Sequence, residues 1–267
     1  MTTKLLYFKG FHKYLDLEHP QTLNEKILWL KLNTYHNNAL VTQCADKFKV
    51  REYIQSKGCG EILNELYAVW EEPNEIEWDK LPNRFVLKCN HGCGYNIICT
   101  DKTELNDGDI RKQLADWLKE DYWKLKAELN YKDIKKKIIC EKYIEGENPE
   151  RLNDYKVYCF NGNALFVLVC VDKDRKFYFY DRDWNLLRIN PDGINAEETF
   201  TLKKPNCISQ VFHYAEILSK PFPFVRVDFY VENETIIFGE MTFTPAAGLD
   251  TDRLYETDLY FGSLLKL

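Results

Sequence analysis

The chain has 267 residues, of which 45% are hydrophobic, 29% charged and 15% aromatic. This composition is that of a globular protein, and it excludes disordered, collagen-like and coiled-coil classes. There are 36 Lys and Arg against 42 Asp and Glu, a formal net charge of −6, which argues against nucleic acid or an anionic membrane surface as the main partner.

The chain shows no signal for membrane insertion or secretion. The longest purely apolar run covers residues 164–171, far too short to cross a bilayer. The first residues, MTTKLLYFKGFHKYLD, have no apolar core ahead of their charges. The nine cysteines are an odd number, several in apolar runs, as in cytoplasmic proteins with reduced thiols. We therefore expect a cytoplasmic protein that is not an integral membrane protein.

The first half of the chain mixes helix and strand signals. Thr22 and Glu25 form a capping box ahead of KILWLKL, which predicts the start of a helix. The other predicted elements are helices from about 46 to 56 and from 107 or 109 to about 125, and strands at 84–89, 97–99 and 138–144.

The second half is rich in strands. Asn161-Gly162 between two apolar stretches predicts a hairpin. Further hairpins are predicted around 181–183 and from 224–230 with 235–240, and helices at 207–219 and from about 251. Because these elements lack a steady βαβ alternation, we predict an α+β fold with two lobes.

The last predicted hairpin places two carboxylates on one face. If its turn centres on Glu234, Asp228 lies opposite Glu240 and Arg226 opposite Thr242. Carboxylates about 5 Å apart at Cβ repel each other unless a cation neutralises them, and oxygen ligands favour Mg²⁺. A surface carboxylate pair offset by Arg226 is the alternative. The opposite, apolar face would hold Val225, Val227, Phe229, Ile237, Gly239 and Met241.

The turn after Lys88 is rich in glycine. Gly92 and Gly94 permit close backbone approach, and successive N–H groups can cradle a phosphate while Lys88 supplies charge. A plain hairpin turn is the alternative. Asp154 and Lys156 share one strand face, where they either reach a nucleotide or form a salt bridge. Cys89 and Cys93 could bind zinc, but no second Cys/His pair has zinc spacing.

These stretches occur in an order that resembles the ATP-grasp superfamily, and within it the TupA-like ATP-grasp family associated with surface-polysaccharide biosynthesis. The resemblance covers about residue 23 to the C-terminus. It implies two α+β lobes clamping a nucleotide between antiparallel sheets, with a helical region at 1–60, a small lobe at 61–140 and a large lobe at 141–267. The matching stretches are LNEKILWLKL, ADKFKVREYI, LPNRFVLKCNHGCGYNII, IICEKYIEG, DYKVYCFNG, FPFVRVDFY and FGEMTFTPAAG.

The resemblance assigns nucleotide contacts position by position. Lys47 and Lys88 would meet the phosphates of ATP, residues 91–96 would close over the β- and γ-phosphates, and residues 141–144 would hold adenine. The expected nucleotide contacts are Lys47, Lys88, His91, Gly92, Gly94, Asn96, Glu141, Lys142, Tyr143, Ile144, Asp154 and Lys156.

The resemblance also implies ligands for Mg²⁺ and ribose. Asp228 and Glu240 match the two metal carboxylates. Many ATP-grasp enzymes have Glu-x-Asn at the second position, and this chain has Thr242 where the Asn would stand. Thr242 is therefore the expected third ligand, but a hydroxyl is a poorer ligand than an amide oxygen, and Thr244 or water is the alternative. Glu147 or Glu150 would bind the ribose.

The reaction implied is an ADP-forming carboxylate–amine ligation through an acyl phosphate. The expected catalytic residues are Arg226, Lys88 and His91, because phosphoryl transfer depends on positioning and charge neutralisation. The alternative for His91 is that it only caps the loop. The family association points to a uronic-acid sugar amidated by an amino acid or small amine in capsular or cell-wall polysaccharide biosynthesis. A sugar phosphotransferase and a non-catalytic nucleotide-binding module are the alternatives. The lysine motif that contains Lys47 begins at Ala45, after 44 residues, so we expect an acceptor site that is small, built elsewhere or supplied by a partner.

Overall fold

The computed structural model describes residues 2–145, 153–171 and 176–267. The chain packs into two units. The central unit is Asn37–Ile144, and the composite unit joins Met1–His36 with Glu145–Leu267. The predicted helical region at 1–60, small lobe at 61–140 and large lobe at 141–267 are defined by how each would contact a nucleotide. This division of the chain stays a prediction.

The described elements confirm the predicted α+β class with two antiparallel sheets. The sheet orders are β1-β4-β2-β3 in the central unit and β10-β9-β5-β6-β7-β8 in the composite unit. Among the helices of these described residues, none is both long and apolar enough to cross a membrane. The helices are α1 (Thr2–Phe11), α2 (Leu23–Asn33), α3 (Ala39–Ala45), α4 (Val50–Ser56), α5 (Asp107–Lys119), α6 (Tyr122–Leu125), α7 (Pro191–Asn195), α8 (Ile208–Ser219) and α9 (Tyr255–Leu264). The strands are β1 (Leu66–Trp70), β2 (Phe85–Cys89), β3 (Asn96–Cys99), β4 (Ile138–Lys142), β5 (Asp154–Phe160), β6 (Asn163–Val171), β7 (Lys176–Tyr180), β8 (Leu186–Leu187), β9 (Phe224–Glu232) and β10 (Thr235–Thr242).

Local capping explains where the helices begin. The Thr22 hydroxyl accepts from the Glu25 N–H at 3.2 Å and the Glu25 carboxylate accepts from the Thr22 N–H at 3.0 Å, so the predicted capping box starts α2. The prediction of a helix from about Asp46 is wrong. The Asp46 carboxylate accepts from the N–H groups of Phe48 and Lys49, which closes a turn, and α4 begins only at Val50.

A second helix prediction fails at its end. The helix predicted to reach Leu125 stops at Lys119, and Leu125 lies on the separate α6 with 63% of its surface exposed. The Asn106 side chain, which accepts from the N–H groups of Gly108 and Asp109, caps the start of α5.

The composite sheet is covered on both faces. Helix α8 packs against β5, β6 and β9 on one face. On the other face, Phe261 of α9 stacks on Phe166 and meets Tyr158 and Phe179 edge-on or tilted. Helix α2 packs against α9, so residues from both ends of the chain share this face.

The last hairpin has the predicted pairing of Asp228 with Glu240, but its turn differs from the predicted one. Its turn is the pair Asn233-Glu234, both with positive φ, and Phe238 pairs with Phe229. The register then shifts by one residue between Phe238 and Glu240, which makes Gly239 a β-bulge. Beyond the bulge, Glu240 pairs with its predicted strand neighbour on β9.

The bulge also overturns part of the predicted apolar face. The prediction that Ile237 faces the core is wrong, because Ile236 and Phe238 are the buried residues before the bulge while Met241 is buried after it. A Cβ on Gly239 would lie 3.0 Å from the Asp228 carbonyl oxygen. Glycine therefore permits the close approach that the bulge requires.

Candidate active site

Six polar side chains from three neighbouring strands meet on one face of the composite sheet. Lys156 on β5 pairs in register with Asp228 on β9, and Asp228 pairs with Glu240 on β10. The strand pairing thus places Lys156 and Glu240 on either side of Asp228, although positions 156 and 240 lie 84 residues apart in the chain. We call this set the strand cluster, and its members are Asp154, Lys156, Arg226, Asp228, Glu240 and Thr242.

Asp228 lies at the centre of the strand cluster. Arg226 donates from Nε to Oδ1 at 2.7 Å and from Nη2 to Oδ2 at 2.6 Å. Lys156 donates to the same Oδ2 at 3.3 Å and also to Asp154. The Asp228 side chain is 5% exposed, and a carboxylate buried to this extent is stable only with such partners.

Glu240 is the most open carboxylate of the cluster. Its side chain is 32% exposed. The Thr242 hydroxyl donates to Glu240 Oε1 at 3.0 Å and accepts from Arg226 Nη2 at 3.3 Å. Thr242, the predicted third metal ligand, therefore links Glu240 to the arginine that holds Asp228.

Mutual electrostatics set the charge of the cluster. Burial, followed by repulsion from Asp228, raises the pKa of Asp154 above its ordinary value. Burial opposes the charge on Lys156, but attraction to Asp228 and Asp154 raises its net pKa. Burial likewise opposes the charge on Arg226, and Asp228 more than restores it, so its pKa is also raised. The cluster therefore favours the charged forms of Lys156 and Arg226 and disfavours that of Asp154.

The donor set of the cluster fits Mg²⁺. Asp228 and Glu240 offer carboxylate oxygens and Thr242 a hydroxyl, which are hard ligands. Within residues 2–145, 153–171 and 176–267, no group of three or more His, Cys, Asp or Glu side chains is placed to hold a metal ion by itself. Further oxygens would come from water and phosphate, which Mg²⁺ usually retains.

In the central unit, Lys88 is paired with Glu141. Its Nζ donates to Glu141 Oε2 at 2.7 Å, and Arg51 of α4 donates to Oε1 at 3.4 Å. Arg51 also donates to the carbonyl of Asn64 at 2.8 Å, and burial lowers its pKa. The sequence analysis did not identify Arg51. The one signal that pointed to this residue was its position in the ADKFKVREYI stretch.

The two glycines of the turn after β2 have different reasons to be glycine. Lys47 Nζ donates to the Gly92 carbonyl at 2.8 Å. A Cβ on Gly92 would lie 2.7 Å from the Tyr122 ring and 2.8 Å from the Tyr95 ring, so packing excludes a side chain there. Gly94 is exposed with φ +81° and open space around it, so its backbone conformation requires glycine.

His91 is buried within the central unit. Its side chain packs on Tyr95, 2% of the residue is exposed, and Nε2 donates to the Trp117 carbonyl at 3.2 Å. Nδ1 is buried with no hydrogen-bond partner in the described part of the chain. Burial, then the charge of Lys136, lowers the pKa of His91 to about 4. The ring is therefore neutral at pH 7, and its predicted phosphate contact stays a prediction.

Asn90 is a second residue that sequence reasoning missed. It is fully buried, and its Nδ2 donates to Asp46 at 2.8 Å and to the Lys135 carbonyl at 3.0 Å. Its Oδ1 accepts from the Lys137 N–H at 2.7 Å, and its carbonyl accepts from the Lys47 N–H at 3.2 Å. Asn90 thus fixes the segment that contains Lys47 against the turn that follows Lys88.

The remaining predicted residues lie at the ends of β3 and β4. Asn96 and Lys142 are exposed, and Tyr143 and Ile144 are half-buried. Glu147 and Glu150, the predicted ribose ligands, lie outside the described residues. In the central unit, the structure therefore places Lys47 against the turn at residues 91–96 and pairs Lys88 with Glu141. In the composite unit, it forms the strand cluster. Their contacts with a nucleotide and a metal stay predictions.

Comparison with solved structures shows the fold. The chain is similar to an L-amino acid ligase from Bacillus licheniformis, at 14% identity and TM-score 0.50, over 84% of this chain and 49% of the other. It is also similar to a D-alanine–D-alanine ligase from Bacillus anthracis, at 17% identity and TM-score 0.48, over 83% and 63%. The ATP-grasp ligase PsnB, in complex with its minimal precursor, Mg and ADP, matches at 11% identity and TM-score 0.41, over 83% and 58%. The chain spans less than two thirds of each of these ligases.

The match to the L-amino acid ligase shows a likeness of fold. The sequence model of the TupA-like ATP-grasp family matches residues 25–266, which is nearly the whole chain. The chain belongs to the TupA-like ATP-grasp family, and the resemblance stated from its sequence is confirmed. No protein with a curated description matches it.

Proposed function

We propose that the chain is an ATP- and Mg²⁺-dependent carboxylate–amine ligase that works through an acyl phosphate and releases ADP. The strand cluster carries this proposal. Arg226 and two carboxylates on adjacent strands form a site where a metal and an anionic reacting group would be held together. Membership of the ATP-grasp family supports ATP as the nucleotide.

Within the cluster, each residue has a separate task. Asp228 and Glu240, with Thr242, would hold Mg²⁺, which when bound neutralises charge on transferring phosphate. Arg226 is half-buried and already forms a two-pronged contact with Asp228. The same planar guanidinium would orient the acceptor carboxylate.

The central unit would bind the nucleotide. Lys47 and Lys88 would contact its phosphates, and residues 141–144 its adenine. Lys88 now pairs with Glu141, so phosphate would compete with that carboxylate for its ammonium group. The turn at residues 91–96 would exclude water, which otherwise hydrolyses an acyl phosphate. Asp154 and Lys156 would complete the nucleotide set.

The substrates follow from the family association. A uronic-acid sugar would supply the carboxylate, and an amino acid or small amine would attack it, in capsular or cell-wall polysaccharide biosynthesis. An ADP-release screen tests this by crossing free and nucleotide-linked uronic acids with amino acids and small amines. We expect ADP release that requires an acceptor and Mg²⁺, and that Asp228→Asn abolishes.

A hydroxylamine trap separates the competing reactions. An acyl phosphate yields an ATP-dependent hydroxamate when hydroxylamine replaces the amine. ADP release without hydroxamate would instead indicate a sugar phosphotransferase. Binding of Mg-ATP with no ADP release for any acceptor would indicate a non-catalytic module, and absence of Mg-ATP binding would refute the proposal altogether.

A further inference from the structure

Glu141 of β4 is a buried carboxylate that contacts two cations in the central unit. Its side chain is 11% exposed. Lys88 of β2 donates to Oε2 at 2.7 Å, and Arg51 of α4 donates from Nη1 to Oε1 at 3.4 Å. Each oxygen of the carboxylate therefore has its own cationic partner, and the two cations come from different elements.

Strand register explains why Lys88 lies beside this carboxylate. Glu141 pairs with Val86 of β2. Side chains two positions apart on a strand point to the same face of the sheet, so Lys88 shares the face of Val86 and Glu141. A diagonal neighbour of this kind is within reach of a long side chain. The contact with Glu141 is therefore a direct result of how β2 and β4 pair.

The two cations differ in how firmly each is held. The Arg51 side chain is 18% exposed, and its second nitrogen, Nη2, donates to the Asn64 carbonyl at 2.8 Å. Asn64 is itself tied to β4, because its Nδ2 donates to the Lys142 carbonyl at 2.8 Å. The planar guanidinium of Arg51 is thus fixed at two points, whereas Lys88 carries its ammonium on a flexible four-carbon stem. Lys88 is the cation that can turn away, and Arg51 is the one that stays.

Burial makes Glu141 depend on these cations. Removing one partner of a buried ion pair is strongly destabilising, because it leaves an uncompensated charge in a poorly solvated position. If Glu141 depended on Lys88 alone, a phosphate group that took the ammonium would leave the carboxylate in that state. With Arg51 at Oε1, Glu141 keeps a counter-ion after Lys88 has moved.

Arginine is suited to this task because its charge is permanent. Burial lowers the pKa of Arg51, and the charge of Glu141 acts in the opposite direction. A guanidinium does not lose its proton in proteins, so Arg51 remains a cation throughout the physiological pH range.

We propose that Arg51 is a positioning residue that compensates the charge of Glu141, so that Lys88 can leave this carboxylate and bind a phosphate of the nucleotide. Before phosphate arrives, Lys88 is paired with Glu141, and afterwards Arg51 remains as the counter-ion. The proposal rests on the proposed ligase function, to which it adds the residue that makes Lys88 available to ATP.

A double-mutant cycle on the full chain tests this role, with Mg-ATP affinity measured by calorimetry on folded variants. Arg51→Met should weaken Mg-ATP binding about tenfold, because Lys88 is then left to compensate Glu141. In the Glu141→Gln background, which has no charge to compensate, Arg51→Met should change the affinity by less than about twofold. Arg51→Lys should lose less affinity than Arg51→Met. Arg111→Met is the matched control and should keep the wild-type affinity, because Arg111 of the same unit donates to the Ile76 carbonyl at 3.0 Å.

The pattern across the cycle separates the outcomes. Arg51→Gln, which keeps a donor for the Asn64 carbonyl, gives the same comparison if Arg51→Met fails to fold. An equal loss of affinity in both Glu141 backgrounds would overturn the proposal, because Arg51 would then act through Asn64 and the end of β4. An unchanged affinity in the wild-type background would also overturn it, while Mg-ATP binding would continue to support the ligase. A wild type that does not bind Mg-ATP would refute the proposed function, and the role of Arg51 with it.

Discussion

His91 should make the stability of the protein depend on pH in the acid range. Its folded-state pKa of about 4 lies below the ordinary histidine value of about 6.5. Between these values the unfolded chain binds a proton that folded His91 does not, so stability is fully present above about pH 6.5 and falls as the pH drops toward 4. The full shift corresponds to about 3 kcal/mol. We expect about 2 kcal/mol, because exposed residues of the same turn admit water that screens the ring.

The substitution His91→Phe isolates this contribution. It keeps a ring in the packed site and removes the titrating group, together with the hydrogen bond to Trp117, which contributes about 1 kcal/mol. Urea unfolding of His91→Phe is followed by tryptophan fluorescence from pH 4 to 7. Over this range, we expect its free energy of unfolding to change by about 2 kcal/mol less than that of the wild type. His213→Gln, at an exposed position of α8, is the control and should keep the wild-type dependence.

Parallel loss of stability in wild type and His91→Phe would refute this reasoning. Mg-ATP affinity of the same variant gives a separate result about the predicted catalytic role. If His91 acts by packing the turn, the folded variant retains its affinity. If the ring contacts phosphate, the affinity falls although the fold is intact.

Three further outcomes follow from the structure. Lys88→Ala should remove Mg-ATP binding in calorimetry with the fold intact, and Lys49→Ala, an exposed lysine of the same unit, should not; equal affinities would show that the turn is misassigned. Gly239→Ala should lower the free energy of unfolding by about 1–2 kcal/mol and weaken Mg²⁺ binding, because its Cβ would press on the Asp228 carbonyl; Gly60→Ala, which meets ordinary contacts, is the control. Mg-ATP at about a hundred times its dissociation constant should add about 2.7 kcal/mol of stability, and an unchanged melting temperature would contradict nucleotide binding.

Local signals were sufficient for parts of the fold. Thr22 and Glu25 lie three residues apart, so their reciprocal capping could be read from the sequence. Asn161 and Gly162 both adopt positive φ between β5 and β6, as their residue types favour. Each of these features depends on neighbours in the chain, which is why they were predictable.

The pairing of Asp228 with Glu240 was predicted correctly for a reason that was partly wrong. A turn centred on Glu234 gives the same register as a two-residue turn followed by a bulge. Glycine at 239 is compatible with either a regular strand or a bulge. The difference showed only at Ile237, whose predicted burial depended on the regular strand.

Contacts between distant residues could not be predicted. Arg51 meets Glu141 across 90 positions, and Lys31 meets Ala247 across 216. In the sequence, Lys31 has the appearance of an exposed residue on an amphipathic helix, because nothing nearby indicates a carbonyl that would satisfy its ammonium group.

The two-part composite unit has a consequence for synthesis on the ribosome. Lys31 of α2 contacts Ala247, which follows it by 216 positions. At roughly 5–20 residues per second, α2 waits on the order of tens of seconds while the central unit is free to fold first. During that interval the side chains of Ile27 and Leu28 lack their contact with Gly248. We therefore expect this part of α2 to stay open to non-native contacts in a nascent chain until the residues around Ala247 have been synthesised.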